Sequence, residues 1–286
     1  VMKFLDNVMS DFINRAPDSF SNAKYSAMRE RSVGLGVMGL HSFFQQKSIP
    51  FGSVMSKMWN QKIFKHIQEK ADQASVKLAE ERGSCPDAEE YGIKERFSNK
   101  TAIAPTASIS VICGGASPGI EPIAANSYTH KTLSGSFNVR NKYLAKILEK
   151  HGKNNDETWS SITTNQGSVS HLDFLTDIEK DTFKTAFEID QRWIVELGAD
   201  RTPNISQAQS INVFVPADIH KKDLHQIHFQ AWKKGLKSLY YCRSKSIQRA
   251  ENVNTGSSTD VTKNVYKANK ESTNEENKYE ECLSCQ

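Results

Sequence analysis

No stretch of this sequence approaches the roughly 18 consecutive apolar residues that a membrane-spanning helix needs. No basic head followed by an apolar core opens it either. Neither a membrane partner nor export is therefore expected, and the chain reads as cytoplasmic. Charge of one sign is equally lacking: 37 basic and 33 acidic residues leave a formal net charge of +4, spread along the chain. Without a basic stripe or interleaved aromatic and basic residues, a polynucleotide partner is not expected. Cysteine is scarce. Cys85, Cys113, Cys242, Cys282 and Cys285 are odd in number and lack framework spacing, which argues against a disulfide scaffold and fits a reducing compartment. There are no internal repeats.

What is present is enough for a real core: 286 residues at 37% hydrophobic content make one large domain or two ordinary ones. The chain starts at Val1 directly inside an apolar helical face formed with Phe4, Leu5, Val8 and Met9. That fits a piece of a longer protein or a separately made fragment, and the residues leave both open. Periodicity predicts a helix over 1–14, a polar stretch from Arg15 to Arg31, and helical pattern again through residues 31–44. The longest amphipathic run spans 53–82, with Met58, Ile63, Phe64, Ile67, Ala71 and Leu78 on one stripe and Gly83 as the stop. Residues 101–112 are rich in β-branched and small side chains and read as a strand, a loop and a turn. Further helices are predicted over 141–150, 190–197 and 222–236. Strands are predicted at 210–215 and, as a last buried strand, at 238–242. Strands alternating with helices suggest parallel βα units. Beyond Arg243 large apolar residues almost vanish, so a boundary is placed there: a globular part over 1–242, then a flexible tail over 243–286.

Four motifs stand out. Gly34, Gly36 and Gly39 spell a dinucleotide-binding fingerprint. The residues before it are charged rather than strand-like, and no acid follows about 20 residues later, so the glycines are read as packing residues. Residues 104–110 (APTASIS) could offer backbone N–H groups and hydroxyls to a phosphate, or form an ordinary turn. Tyr240 and Tyr241 are adjacent; on a strand they would pack on opposite faces, whereas a stacked pair of phenols could pass an electron and a proton. Cys282 and Cys285 form a CxxC. Zinc would need two more nearby ligands, and a thioredoxin-type motif belongs at a helix start, which leaves a thiol pair on a tether. About 40 flexible residues have a root-mean-square span on the order of 35 Å, enough to shuttle between an enclosed site and solvent.

Taken together, FLDNV at 4–8, RSVGLGVMGLHSFF at 31–44, IAPTASIS at 103–110, SPGIEPIAANSYTHKTLSGSF at 117–137, QAQSINVFVP at 207–216, HFQAWKKGLKSLYY at 228–241 and the terminal CLSC resemble the large subunit of class I ribonucleoside-diphosphate reductases. The resemblance implies an α/β fold, the second half of a ten-stranded α/β barrel, with the tail appended. It implies radical reduction of a ribonucleoside diphosphate at the ribose 2′-carbon. Thr106, Ala107, Ser108 and Ile109 would hold the diphosphate through backbone N–H groups and the Thr106 and Ser108 hydroxyls. Many relatives have a hydroxyl at the position of Ile109, so only its N–H is implied. Tyr240 and Tyr241 would be the last radical relays, Tyr240 nearer the active-site cysteine. Cys282 and Cys285 would re-reduce an active-site disulfide and be reduced in turn by thioredoxin or glutaredoxin.

The resemblance assigns no metal or cofactor to this chain; the metal-containing radical source would be a small subunit. The family's radical-bearing cysteine, its reducing cysteines and its effector sites lie in an amino-terminal half that these residues do not include. A second chain supplying that half is therefore expected. Cys85 and Cys113 receive no role, and Cys242 is expected in the core. Two other readings stand beside this one. A non-catalytic, nucleotide-binding or interaction remnant would have no use for the tyrosine pair and the CxxC. A cobalamin-dependent relative would leave the tyrosine pair without purpose.

Overall fold

The computed structural model describes residues 1–132 and 135–244. Met2–Arg15 (α1) forms as its periodicity predicts. Ser21–Glu30 (α2) lies inside the stretch read as polar linker; it buries no residue, so it carries no apolar stripe to announce it. Residues 31–39 run extended rather than helical until Gly39, at φ +83°, turns the chain into Leu40–Gln46 (α3). Val54–Arg82 (α4) is 29 residues long and starts at a capping box: Ser53 Oγ accepts from the Ser56 N–H, and Ser56 Oγ accepts from the Ser53 N–H. Gly83 ends it, with φ at +86°. Phe64, Ala71 and Leu78 of the predicted stripe are buried, while Met58 is exposed.

After Pro86–Glu90 (α5), the 101–112 segment, read as a strand, a loop and a turn, pairs only at Thr101 and Ile103. Thr106, in the left-handed region at φ 55°, then swings the chain out of the ladder, and Ala107–Ile112 (α6) coils into a helix despite its β-branched residues. A hairpin not foreseen from the sequence follows: Ser127–Thr132 (β1) runs antiparallel to Gly135–Arg140 (β2), Ser127 opposite Arg140. Lys142–Lys150 (α7), Asp156–Thr164 (α8), Asp177–Thr182 (α9) and Gln191–Arg201 (α10) each begin on an Asn, Thr or Asp whose side chain accepts from the first turn. Val213–Val215 (β3), Lys221–Lys233 (α11) and Cys242–Ser244 (β4) complete the described chain.

The long-range pairing is parallel throughout. Leu35 pairs with Thr101, Ile103 with Gln209, and β3 with β4. Four extended segments thus lie side by side in chain order, with α4, the α7–α10 group and α11 in the three crossovers. This is the alternation of strand and helix that the sequence predicted, built as parallel βα units. The three glycines serve close packing and a turn: a Cβ on Gly36 would stand 2.5 Å from the Ala102 carbonyl oxygen. Phe44, Phe64, Ile103, Leu197 and Ile211 meet in the main core, between this ladder and its helices. Each such side chain contributes about 1.5–3 kcal/mol by leaving water.

Asp6 anchors α1 to this body. Its carboxylate is fully enclosed and contacts three guanidinium groups: Arg31 at 2.5 Å, Arg82 at 2.6 Å and Arg96 at 2.9 Å. Burial alone would raise its pKa, but the arginines together outweigh that and hold the carboxyl below its usual value. A depressed folded pKa gives stability that is present above the unfolded value near 3.9 and lost as pH falls through the folded one. Asp6→Asn should therefore destabilise the chain by about 3–5 kcal/mol at neutral pH, because buried guanidinium charge is left uncompensated. Urea denaturation checks this, and wild type and variant should converge in acid.

Candidate functional site

The turn at Thr106 is built from both sides. Its Oγ1 accepts from the Gly119 N–H at 2.7 Å, which ties the APTASIS segment to the GIEP segment. Gly119, at φ +44°, cannot be replaced lightly: a Cβ would lie 2.9 Å from the Ala104 carbonyl oxygen. The N–H groups of Thr106, Ala107, Ser108 and Ile109 make no hydrogen bond among the described residues. Ser108 and Ile109 are exposed, and Thr106 and Ala107 are partly so. The turn thus presents consecutive unsatisfied donors, with a serine hydroxyl beside them, as an acceptor-rich group requires.

Two residues past Gly119, Glu121 turns inward. Its carboxyl is buried, and that burial pushes its pKa up to about 7, while the Asn212 amide and the Arg243 guanidinium pull it down by less. Asn212 in turn belongs to the QAQSINVFV segment, whose polar residues seat it in the body. Gln207 donates to Ser32 at 2.9 Å, Gln209 accepts from the buried Arg201, and Asn212 Oδ1 accepts from the Tyr241 N–H at 3.0 Å. Backbone bonds from Tyr240 N–H to the Ile211 carbonyl and from Val213 N–H to the Tyr241 carbonyl extend that attachment.

The tyrosines do not pack on opposite faces. Their ring centroids are 4.1 Å apart, tilted by 52°, so both phenols stand together. They are 43% and 42% exposed, not buried as the predicted last strand required. Cys242 is likewise exposed, which corrects its expected place in the core. The reason is topological: among the described residues β4 is hydrogen-bonded on one side only, to β3. Cys85 is buried and Cys113 exposed. Cys282 and Cys285 lie outside the described residues. Among those residues no group of three His, Cys, Asp or Glu is placed to hold a metal ion, and no helix is long and apolar enough to cross a membrane. Sequence reasoning missed Glu121, Asn212 and Arg243 as parts of this site; Glu121 and Asn212 were in view only as letters of two longer segments.

Comparison with known proteins adds the rest. The family described as "Ribonucleotide reductase, barrel domain" matches residues 1–91 and 87–242. The ribonucleoside-diphosphate reductase large subunit of Invertebrate iridescent virus 6 is 47% identical over 259 residues, covering 89% of this chain and 27% of that protein. The large subunit of Caenorhabditis elegans is 33% identical over 298 residues, covering 92% of this chain and 37% of that protein. The solved structure of the Actinobacillus ureae class Id ribonucleotide reductase alpha subunit superposes with a TM-score of 0.80 at 40% identity, over 86% of this chain and 45% of that one. The chain therefore spans between about a quarter and a half of the length of such relatives. With a family match running from residue 1 to residue 242 and a fold that superposes on a solved alpha subunit over 86% of its length, the chain belongs to the ribonucleotide reductase large-subunit family and carries part of its barrel domain.

Proposed function

We propose that this chain forms the carboxy-terminal half of a ribonucleoside-diphosphate reductase barrel and takes part in reducing ribonucleoside diphosphates to deoxyribonucleoside diphosphates. The observation that carries this reading is a single short segment, 119–121, that touches both halves of the site. Gly119 holds the donor-rich turn, and Glu121 sits against the residues that seat Tyr241. A substrate gripped at the turn is thereby fixed relative to the phenols.

The N–H groups of Thr106, Ala107, Ser108 and Ile109 would receive the diphosphate oxygens. The Ser108 hydroxyl is exposed and free to donate, while one lone pair of Thr106 Oγ1 is already taken by Gly119. Tyr240 and Tyr241 would each give up and regain one electron and one proton. The oxidising equivalent would come from a small subunit that holds the radical-generating metal, and would end on a cysteine of the amino-terminal half. Cys282 and Cys285, as a dithiol, would reduce the active-site disulfide by exchange, become a disulfide themselves, and be reduced by thioredoxin or glutaredoxin.

The partner carrying the amino-terminal half has support in exposed surface. Phe4, Val8 and Phe12 form one uncovered stripe on α1. A cavity of about 470 Å³ opens between α1, α4 and Leu35. Gly34 and Gly36 make no backbone hydrogen bond among the described residues, so the first extended segment offers a free edge. The chain purified alone should show no reductase turnover, and adding a chain with the other half plus the small subunit should restore it. Turnover by the lone chain, or none from the reconstituted assembly, would overturn the proposal.

A further inference from the structure

Arg243 was read from the sequence only as a boundary. In the fold its guanidinium stands 5.5 Å from the centroid of the Tyr241 ring. The same guanidinium acts on the buried Glu121 carboxyl. Asn212 lies near both, with its Oδ1 on the Tyr241 N–H and its amide close enough to favour the Glu121 anion. Yet Glu121 Oε1 and Asn212 Nδ2 are both buried without a hydrogen-bond partner among the described residues. Buried polar atoms are seldom left so, and a pair of them here calls for an explanation.

We propose that Arg243, balanced by Glu121, is a positioning residue that sets how an oxidising equivalent is shared between Tyr241 and Tyr240. This rests on the relay reading above. The exchange itself is balanced: a Tyr241 phenoxyl radical takes one electron and one proton from the Tyr240 hydroxyl, leaving a Tyr240 phenoxyl radical and an intact Tyr241 phenol. The oxidant that starts it is the protein-borne radical of the small subunit. A cation over an aromatic face is attracted to the electron-rich ring, and that attraction weakens when the ring gives up an electron. Arg243 therefore makes Tyr241 harder to oxidise. Glu121 opposes it, because its carboxylate, when ionised, offsets the guanidinium charge. Burial pushes the Glu121 pKa up to about 7, so its charge responds to pH rather than staying fixed.

The test uses the reconstituted full enzyme. 3-Aminotyrosine, which traps a radical, is placed at both 240 and 241 by ligating a synthetic carboxy-terminal segment, with a nitrogen-15 label at one position only. Electron paramagnetic resonance then reads how the trapped radical divides between them. Arg243→Gln should shift that partition roughly fivefold to tenfold toward 241. Arg243→Lys, which keeps the charge, should restore most of the original partition. Glu121→Gln should shift it the other way, toward 240, and supplies the test even where Arg243→Gln fails to assemble. Shifts of opposite sign cannot come from general loosening. A partition unchanged in both neutralising variants would overturn this proposal while leaving the relay standing. No trapped radical at either position in the parent enzyme would overturn the relay reading, and this one with it.

Discussion

Tyr240→Phe or Tyr241→Phe in the assembled enzyme is expected to lower turnover roughly a thousandfold or more, which at 1.36 kcal/mol per decade adds about 4 kcal/mol to the barrier. The substitution is narrow. Phenylalanine keeps the ring, and with it the 4.1 Å packing of the pair and the Arg243 contact. What disappears is the hydroxyl, and so the proton that leaves with the electron. A benzene ring can then be oxidised only to a radical cation, far out of reach of a phenoxyl. Substrate affinity should stay unchanged, because the Gly119 N–H on Thr106 Oγ1 that holds the donor turn at 106–109 is left in place by both substitutions. Equilibrium binding of a nucleoside diphosphate beside steady-state turnover checks both halves, and a Phe variant that keeps a tenth of its rate would count against the relay.

The second large effect concerns the terminal thiols. Cys282→Ser should abolish continuous turnover driven by thioredoxin, yet leave a pre-reduced enzyme able to complete one or a few cycles. The reason is a division of labour: each cycle would consume the two electrons of an active-site dithiol, leaving a disulfide, and an exchange partner is needed only to reduce that disulfide again. Quenched-flow measurement of product in the first cycle, beside the steady-state rate, separates the two. Equal loss in both assays would remove the shuttle role from Cys282 and Cys285.

The parts of the fold that were legible in the sequence are those with a strong local signal. Helix α4 has a long stripe, a serine cap and a glycine stop, and its predicted limits of 53–82 stand within a residue of Val54–Arg82. The βα alternation was legible where the local signal was strong, in the β-run at 210–215 and the helical stripe at 222–236, but the extended segment before Gly39 was read as helical. Helix α2 was not, because it buries nothing. Helix α6 was not foreseen, because Ile109, Val111 and Ile112 favour a strand and the small residues before them a turn; a left-handed Thr106 overrides both. The Asp6 cluster was invisible, since its arginines lie 25, 76 and 90 residues away and only the tertiary fold gathers them. The same holds for Glu121, Asn212 and Arg243: each is an ordinary letter until three separate segments meet. Cys242 was misplaced because a β-rich neighbourhood suggests enclosure, whereas an edge strand leaves one side open.

Helix α1 has two faces with opposite fates. Asp6 points inward and is gripped from three directions, while Phe4, Val8 and Phe12 line the other side and stay bare. A helix so pinned cannot roll or fray on its inner side without breaking charged contacts. Its bare side is therefore offered in one fixed orientation before any mate arrives. Little ordering entropy is left to lose when another surface docks there, so a modest apolar stripe can yield tighter joining than its area alone would suggest.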